Sequence, residues 1–127
     1  MNCPCGRPLP FERCCGPAIA GTAPAANAEA LMRSRYTAYV LRESAYLLAT
    51  WHPGTRPASL DLAAEPQPNW IGLEVRRHEQ QDAEHASVEF VARHRLGGRA
   101  HRLHEVSRFV RVDGRWYYVD GDRREPG

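Results

Sequence analysis

Residues 85–120 read HASVEFVARHRLGGRAHRLHEVSRFVRVDGRWYYVD, and this stretch decides the fold. Runs rich in Val, Phe, Tyr and Trp flank two glycine-containing dipeptides, Gly97-Gly98 and Asp113-Gly114. Glycine accepts the positive φ that two-residue hairpin turns demand, and Asp-Gly is among the strongest short hairpin signals. His85–Arg95 and Arg99–Val112 are therefore predicted as one hairpin, with Trp116–Val119 as the strand after the second turn. Pairing outward from the first turn sets His94 opposite His101, Ala92 opposite Leu103 and Phe90 opposite Glu105. Pairing outward from the second sets Arg111 opposite Trp116, Phe109 opposite Tyr118 and Ser107 opposite Asp120. Strand side chains alternate with period two. One face is then predicted to carry Phe90, Leu103, Glu105, Ser107, Phe109, Trp116, Tyr118 and Asp120, and the other Val91, His104, Val106, Arg108, Val110, Tyr117 and Val119. A bulge in the long Arg99–Val112 strand would swap the faces partway along.

Upstream, Trp70–Arg77 alternates around Ile71, Leu73 and Val75 and reads as one more strand. Residues 53–69 hold Pro53, Pro57, Pro66 and Pro68 and read as loop, with a short helical turn expected near Leu60–Ala64. Before them come helical patterns. Asn27 is placed to cap a helix beginning at Ala28 or Glu29. Leu31, Met32, Tyr36, Tyr39 and Val40 recur at helical spacing, with Arg33, Arg35 and Arg42 mostly off that stripe. A second helix, from Ser44 to about Trp51, must stop before His52-Pro53, because the residue before proline disfavours helical backbone. Two helices followed by a meander of antiparallel strands make an α+β domain with the helices on one face of a curved sheet.

At 127 residues the chain fits one domain with one core. No stretch reaches the roughly 20 apolar residues that span a bilayer, so no membrane association is expected. The N-terminus does not read as a signal peptide, and a cytoplasmic location is expected. All 17 basic residues are Arg. The absence of Lys excludes a Schiff-base lysine and a P-loop lysine. The formal net charge is +2 and the arginines are scattered, so nucleic acid is not an expected partner.

Every cysteine lies in residues 1–17, as Cys3-Pro-Cys5 and Cys14-Cys15, written C-x-C-x8-C-C. Four thiolates so close match the tetrahedral sites that zinc favours, and such a site folds a segment with almost no core of its own. Two disulfides are the less favoured alternative, since adjacent cysteines bond each other only with strain. A reduced, unstructured tail is the other. Residues 18–27 look like a tether of small residues. The chain thus divides into a knuckle (1–17), a linker (18–27) and a domain (28–127), with Cys3, Cys5, Cys14 and Cys15 as ligands of a structural Zn²⁺.

Cys3-Pro-Cys5-Gly6, Phe11 and Cys14-Cys15-Gly16-Pro17 resemble the SEC-C motif, the zinc-binding segment also found at the C-terminus of the SecA translocation ATPase. Leu31-Met32-Arg33-Ser34-Arg35-Tyr36, Thr50-Trp51-His52-Pro53, His104-Glu105 with Ser107-Arg108-Phe109, and Gly114-Arg115-Trp116-Tyr117-Tyr118 look like the YchJ family (UPF0225) of uncharacterised bacterial proteins. That resemblance covers nearly the whole chain. It implies a cone-shaped α+β domain of the nuclear-transport-factor-2-like (NTF2-like) kind behind a SEC-C knuckle, and it implies no activity. One departure is Arg7-Pro8-Leu9, where the knuckle usually continues Ser-Gly-Lys.

Two functions follow as expectations. In the first, the zinc knuckle docks a protein partner and the cone is a scaffold. In the second, a pocket between helices and sheet binds a small molecule or supports isomerase- or hydrolase-like chemistry. A carboxylate among Phe90, Phe109 and Trp116 would serve as base. The candidates are Glu105 and Asp120, with His104, Arg108, Tyr36, Tyr39 and Tyr118 around them. His52, His94 and His101 have simpler readings as a loop closer and as solvated residues near a hairpin tip. Sheets of this kind often pair, so a homodimer is also expected. HExxH, G-x-S-x-G and phosphate-binding glycine loops are absent.

Overall fold

In the computed structural model, residues 2–60, 62 and 68–124 are described. A 3₁₀ turn at Phe11–Arg13 leads to α1 (Gly16–Ala20), α2 (Ala28–Leu41) and α3 (Ser44–Ala49). Strands β1 (Asn69–Gln80), β2 (His85–Leu96), β3 (Arg99–Val112) and β4 (Arg115–Arg123) follow. They pair as an antiparallel meander in the order β1-β2-β3-β4. The result is the expected α+β cone, with helices packed on one face of the sheet and a cysteine cluster at the N-terminus. The helical turn expected near Leu60–Ala64 falls largely outside the described residues.

Each start signal works as its chemistry requires. The Asn27 side chain accepts from the Ala30 N–H at 2.8 Å and caps α2. That helix ends at Arg42, whose left-handed φ of 60° lets the Glu43 N–H reach the Ala38 carbonyl. α3 stops at Ala49, two residues short of Trp51. Gly97, Gly98, Asp113 and Gly114 all take positive φ, as their turns demand. α1 begins earlier than the expected linker. Pro17 occupies its first turn, where a missing N–H costs nothing, and residues 18–20, at the start of the expected tether, are helical.

The β2–β3 register is the one read from the sequence, with His94↔His101, Ala92↔Leu103 and Phe90↔Glu105. From the second turn, Arg111↔Trp116 and Phe109↔Tyr118 also hold. Ser107↔Asp120 does not. The register shifts after Phe109↔Tyr118, so Arg108 faces Asp120 and Ser107 faces Gly121. The extra residue is Val119, on β4 and not on the long β3 strand. One inserted residue flips every later side chain to the opposite face, and Asp120 leaves the helix-covered face for the outer one. A similar irregularity between Trp70 and Gly72 on β1 makes Ile71 the odd residue. Ile71 is therefore 50% exposed, and Trp70 turns inward in its place.

The core lies between α2 and the concave face of the sheet. Leu31, Met32 and Tyr36 meet Val88, Phe90, Ala92, Phe109 and Trp116 there, all buried. The stripe read from the sequence is correct except for Arg35, which is 5% exposed. Its position explains why. It lies four residues from both Leu31 and Tyr39 and so falls within the apolar stripe. No described helix is long and apolar enough to cross a membrane.

Candidate functional site

Two features have chemical potential: the four-thiol cluster and a cavity inside the cone. The cluster is built by short turns. Asn2 and Pro10 form a bridge, the Cys3 N–H donates to the Leu9 carbonyl at 2.7 Å, and Gly6 turns the chain at φ 95°. Gly16 has no room for a side chain, since a Cβ there would lie 2.8 Å from the Phe11 carbonyl oxygen. That contact is with backbone, which cannot swing away. These constraints bring the sulfurs of Cys3, Cys5, Cys14 and Cys15 within 4.8 Å of one another. The four residues are thiols, not disulfides.

The arrangement fits a metal ion. Four sulfurs about 2.3 Å from a central zinc stand roughly 3.8 Å apart in a tetrahedron, and the Cys5 and Cys14 sulfurs lie 3.6 Å apart. Without an ion the thiols hydrogen-bond one another, and their ionisation diverges. A hydrogen bond from Cys15 draws the Cys5 thiol down to about 4, against the effect of its own burial. Burial pushes Cys14 up to about 11, and the bond to Cys5 together with burial raises Cys15. Four thiolates in this space need a cation to neutralise them.

The cluster is packed against the domain. Cys3, Cys5 and Cys15 are buried, with Phe11, Ile19 and Leu73 around them. Arg33 donates from Nη1 to the Cys5 carbonyl at 2.8 Å and from Nε to Glu29 at 2.9 Å, and Arg7 and His78 approach the same carboxylate. For Glu29, burial opposes ionisation, but the bond and charge of Arg33, then Arg7 and His78, outweigh it and lower its pKa. A carboxylate whose folded pKa is depressed stabilises the fold above its ordinary value of 4.5, and that contribution is lost as pH falls through the folded value. Glu29→Gln is therefore expected to be less stable than the wild type at pH 7. The gap in urea midpoint should close as pH falls below about 4.5; a gap independent of pH would contradict this role for the ionised carboxylate.

The cavity measures about 330 Å³ and is bounded by α2, the segment after α3 and the concave face of the sheet. Met32, Tyr36, Tyr39, Trp51, Trp70, Phe90, Leu103 and Phe109 supply its apolar wall, and Arg35, Glu105, Ser107, Tyr118 and Arg123 its polar groups. Of the candidates read from the sequence, Glu105, Tyr36, Tyr39 and Tyr118 line this space, and three do not. His104 donates from Nε2 to Glu89 at 2.7 Å on the outer face, where period-two alternation puts it. Arg108 is also outside, donating to Asp120 at 2.6 Å and Asp122 at 2.7 Å. Asp120 joins it because of the Val119 bulge. His52 Nδ1 accepts from the Gly54 N–H at 3.0 Å and closes its loop, as expected. His94 stacks on His101 and meets the Trp70 ring at a tilt, with its Nδ1 buried and unpartnered among the described residues.

Glu105 accepts from the Ser107 hydroxyl at 2.6 Å. It also lies where a Gly121 side chain would be, since a Cβ there would stand 2.3 Å from its Oε2. Glycine at 121 thus gives the carboxylate its place. Burial, reinforced by the Glu105 charge, pushes the Tyr118 hydroxyl up to about 12, and burial also raises Tyr36 and Tyr39. All three remain protonated donors at neutral pH.

Arg35, expected off the apolar stripe, and Trp51 also line the cavity, as do Trp70 and Arg123. Arg35 donates from Nη1 to the Leu47 carbonyl at 2.8 Å and to the Thr50 hydroxyl at 2.7 Å. Its guanidinium carbon lies 5.0 Å from the Trp51 ring and 4.7 Å from the Tyr118 ring. Backbone bonds from His52 to Tyr118 and from Tyr118 to Thr50 hold the Trp51 segment against β4. The spacing of Arg35 from Leu31 and Tyr39 was the available signal. Trp51 had none, because its place depends on that pairing to β4.

Known proteins bear on both features. Residues 27–121 match the family described as YchJ, middle NTF2-like domain. A UPF0225 protein of Ralstonia nicotianae is 59% identical, covering 94% of this chain and 90% of that relative. One from Polaromonas naphthalenivorans is 58% identical, covering 95% and 96%. The solution structure of a SEC-C motif containing protein from Rhodopseudomonas palustris superposes with a TM-score of 0.88 at 38% identity, covering 98% of this chain and all of that one. The crystal structure of a SEC-C motif containing protein from Psychrobacter arcticus gives 0.80 at 30%, covering 100% and 85%. With a matching domain over most of its length and close relatives along nearly all of it, the chain belongs to the YchJ family, UPF0225.

Proposed function

We propose that this protein binds a small organic molecule in the cone cavity, and that a structural zinc ion on Cys3, Cys5, Cys14 and Cys15 fastens the N-terminal segment to the domain. The observation that carries the reading is the cavity itself. A space of about 330 Å³ with aromatic walls holds a buried arginine and a carboxylate, and the two form no ion pair with each other. Ligand sites are mostly apolar concavities of this size or larger with a few convergent polar groups. An all-thiolate tetrahedral donor set favours zinc among common ions. When bound, it would neutralise the thiolates and cross-link residues 3–15.

Docking of a protein partner by the knuckle has less in its favour. Leu9, 42% exposed, is its one large exposed apolar side chain among the described residues, while three of the four cysteines are buried. The cluster is better suited to fastening than to display.

Trp51 and Trp70 line the cavity and Trp116 does not, so ligand entry is expected to change tryptophan emission. Screening a library of ring compounds by emission and thermal shift should yield binders. Ala92 also lines the cavity, and Ala92→Leu, which adds bulk there, should weaken them at least tenfold while remaining folded. A library in which no compound shifts either signal would refute the reading.

A further inference from the structure

We propose that the ligand is a small aromatic carboxylate whose carboxylate meets Arg35 and whose ring lies among Met32, Tyr36, Trp70 and Phe90. This rests on the small-molecule reading above and narrows it to one chemical class.

The argument begins with the cost of Arg35. A cation 5% exposed is stable only where other groups replace its water. Burial accordingly lowers its pKa, while the nearby tyrosines and Glu105 oppose that effect. Its partners are one carbonyl, one hydroxyl and two ring faces, all of them neutral. Both hydrogen bonds use Nη1. Among the described residues no acceptor engages Nε or Nη2, and the guanidinium lines the cavity. An arginine in that state presents the fork that a carboxylate accepts in bidentate fashion.

A second observation points the same way. The indole N–H of Trp51, another lining side chain, is buried and has no partner among the described residues. The indole N–H is thus an unmade buried hydrogen bond, which costs about 1–3 kcal/mol, beside an arginine whose Nε and Nη2 engage no acceptor among the described residues. A ligand rich in acceptors removes that cost.

Glu105 sets the orientation. It enters from β3 while Arg35 enters from α2, and it already accepts one bond, from Ser107. Its charge repels a carboxylate placed beside it and welcomes a hydroxyl or amine at the far end of the ring. The walls between are flat and aromatic, which suits a ring.

The test uses the zinc-loaded full chain and two acid–amide pairs: 4-hydroxybenzoate with 4-hydroxybenzamide, and 6-hydroxy-2-naphthoate with its amide. Calorimetric and fluorescence titrations should show each acid binding about 10- to 100-fold tighter than its amide, the range expected for a charge-assisted bond. In Arg35→Met, checked for folding by circular dichroism and for zinc content, the pair should bind equally. Arg35→Lys should recover part of the preference. Arg123 is the other cation of the lining, so Arg123→Gln tests it as the competing partner, while Arg102→Gln, at an exposed arginine of β3 outside the lining, should keep the preference in full. Should Arg35→Met fail to fold, Trp51→Phe, which removes the indole N–H, is expected to reduce the preference. Acids and amides that bind the wild type equally would overturn the carboxylate assignment and leave the small-molecule reading standing. A preference lost in Arg123→Gln and kept in Arg35→Met would overturn the role of Arg35. If neither member of either pair binds and the ring library also fails, both readings fall.

Discussion

Serine in place of Cys5 is expected to empty the metal site and to lower the midpoint of thermal unfolding by roughly 10–20 °C. Cys5 is fully buried, its sulfur is 3.6 Å from that of Cys14, and its carbonyl holds Arg33. A serine hydroxyl has a shorter reach and is a poor zinc ligand, so a four-coordinate site becomes a three-coordinate one. In isolated zinc fingers the metal contributes on the order of 10–16 kcal/mol and the peptide is unfolded without it. Here the domain has its own core between α2 and the sheet, so the loss is confined to what the knuckle covers. Phe11, Ile19, Leu73 and the cysteines would lose their packing, a cost of about 4 kcal/mol or more, as befits the loss of a structural metal. For a domain of this size each kcal/mol moves the midpoint by about 3–5 °C. Elemental analysis and calorimetry decide the matter. Wild-type protein should carry one zinc per chain, and chelation should reproduce the behaviour of the variant. A variant that retains its zinc, or a chelated wild type that melts unchanged, would refute the fastening role.

The second large effect lies on the floor of the cavity. Phe109→Ala is expected to cost about 3–5 kcal/mol of unfolding free energy, the usual range for deleting a buried phenylalanine. Phe109 is 2% exposed and meets Tyr118 edge to face at 5.8 Å, directly before the β4 bulge. Its removal joins new empty volume to the existing cavity, which the rigid sheet cannot close. Urea denaturation measures the cost. A loss under about 1 kcal/mol would mean that α2 and the sheet can collapse onto the space, and that the cavity is not held open by its surroundings.

Much of this architecture is written locally. The hairpin turns are specified by Gly97-Gly98 and Asp113-Gly114, and the β2–β3 register follows by counting outward from the first. Asn27 announces the start of α2, and the C-x-C-x8-C-C spacing brings four sulfurs together because intervening turns and Gly16 allow it. The candidate pocket was only half legible. Glu105, Tyr36 and Tyr118 line it, whereas Asp120, His104 and Arg108 face outward. For His104 and Arg108 the alternation itself held the answer. For Asp120 it did not, since nothing in Tyr118-Val119-Asp120-Gly121 states that Val119 will be the unpaired residue. The same blindness exchanged Ile71 for Trp70.

The sequence alone therefore determined the α+β class, the turns, the principal register and the thiol cluster, because each depends on contacts within a few residues or on period-two counting. Tertiary structure decided the rest. Close packing of Glu105 against Gly121 accompanies the shifted β4 register, and the pairing of the Trp51 segment to β4 sets the aromatic faces over Arg35. Burial of a charge on the stripe of α2, and docking of the knuckle onto that helix, likewise depend on groups far apart in the chain. Such choices balance desolvation against packing across the whole core, and no local pattern of residues encodes that balance.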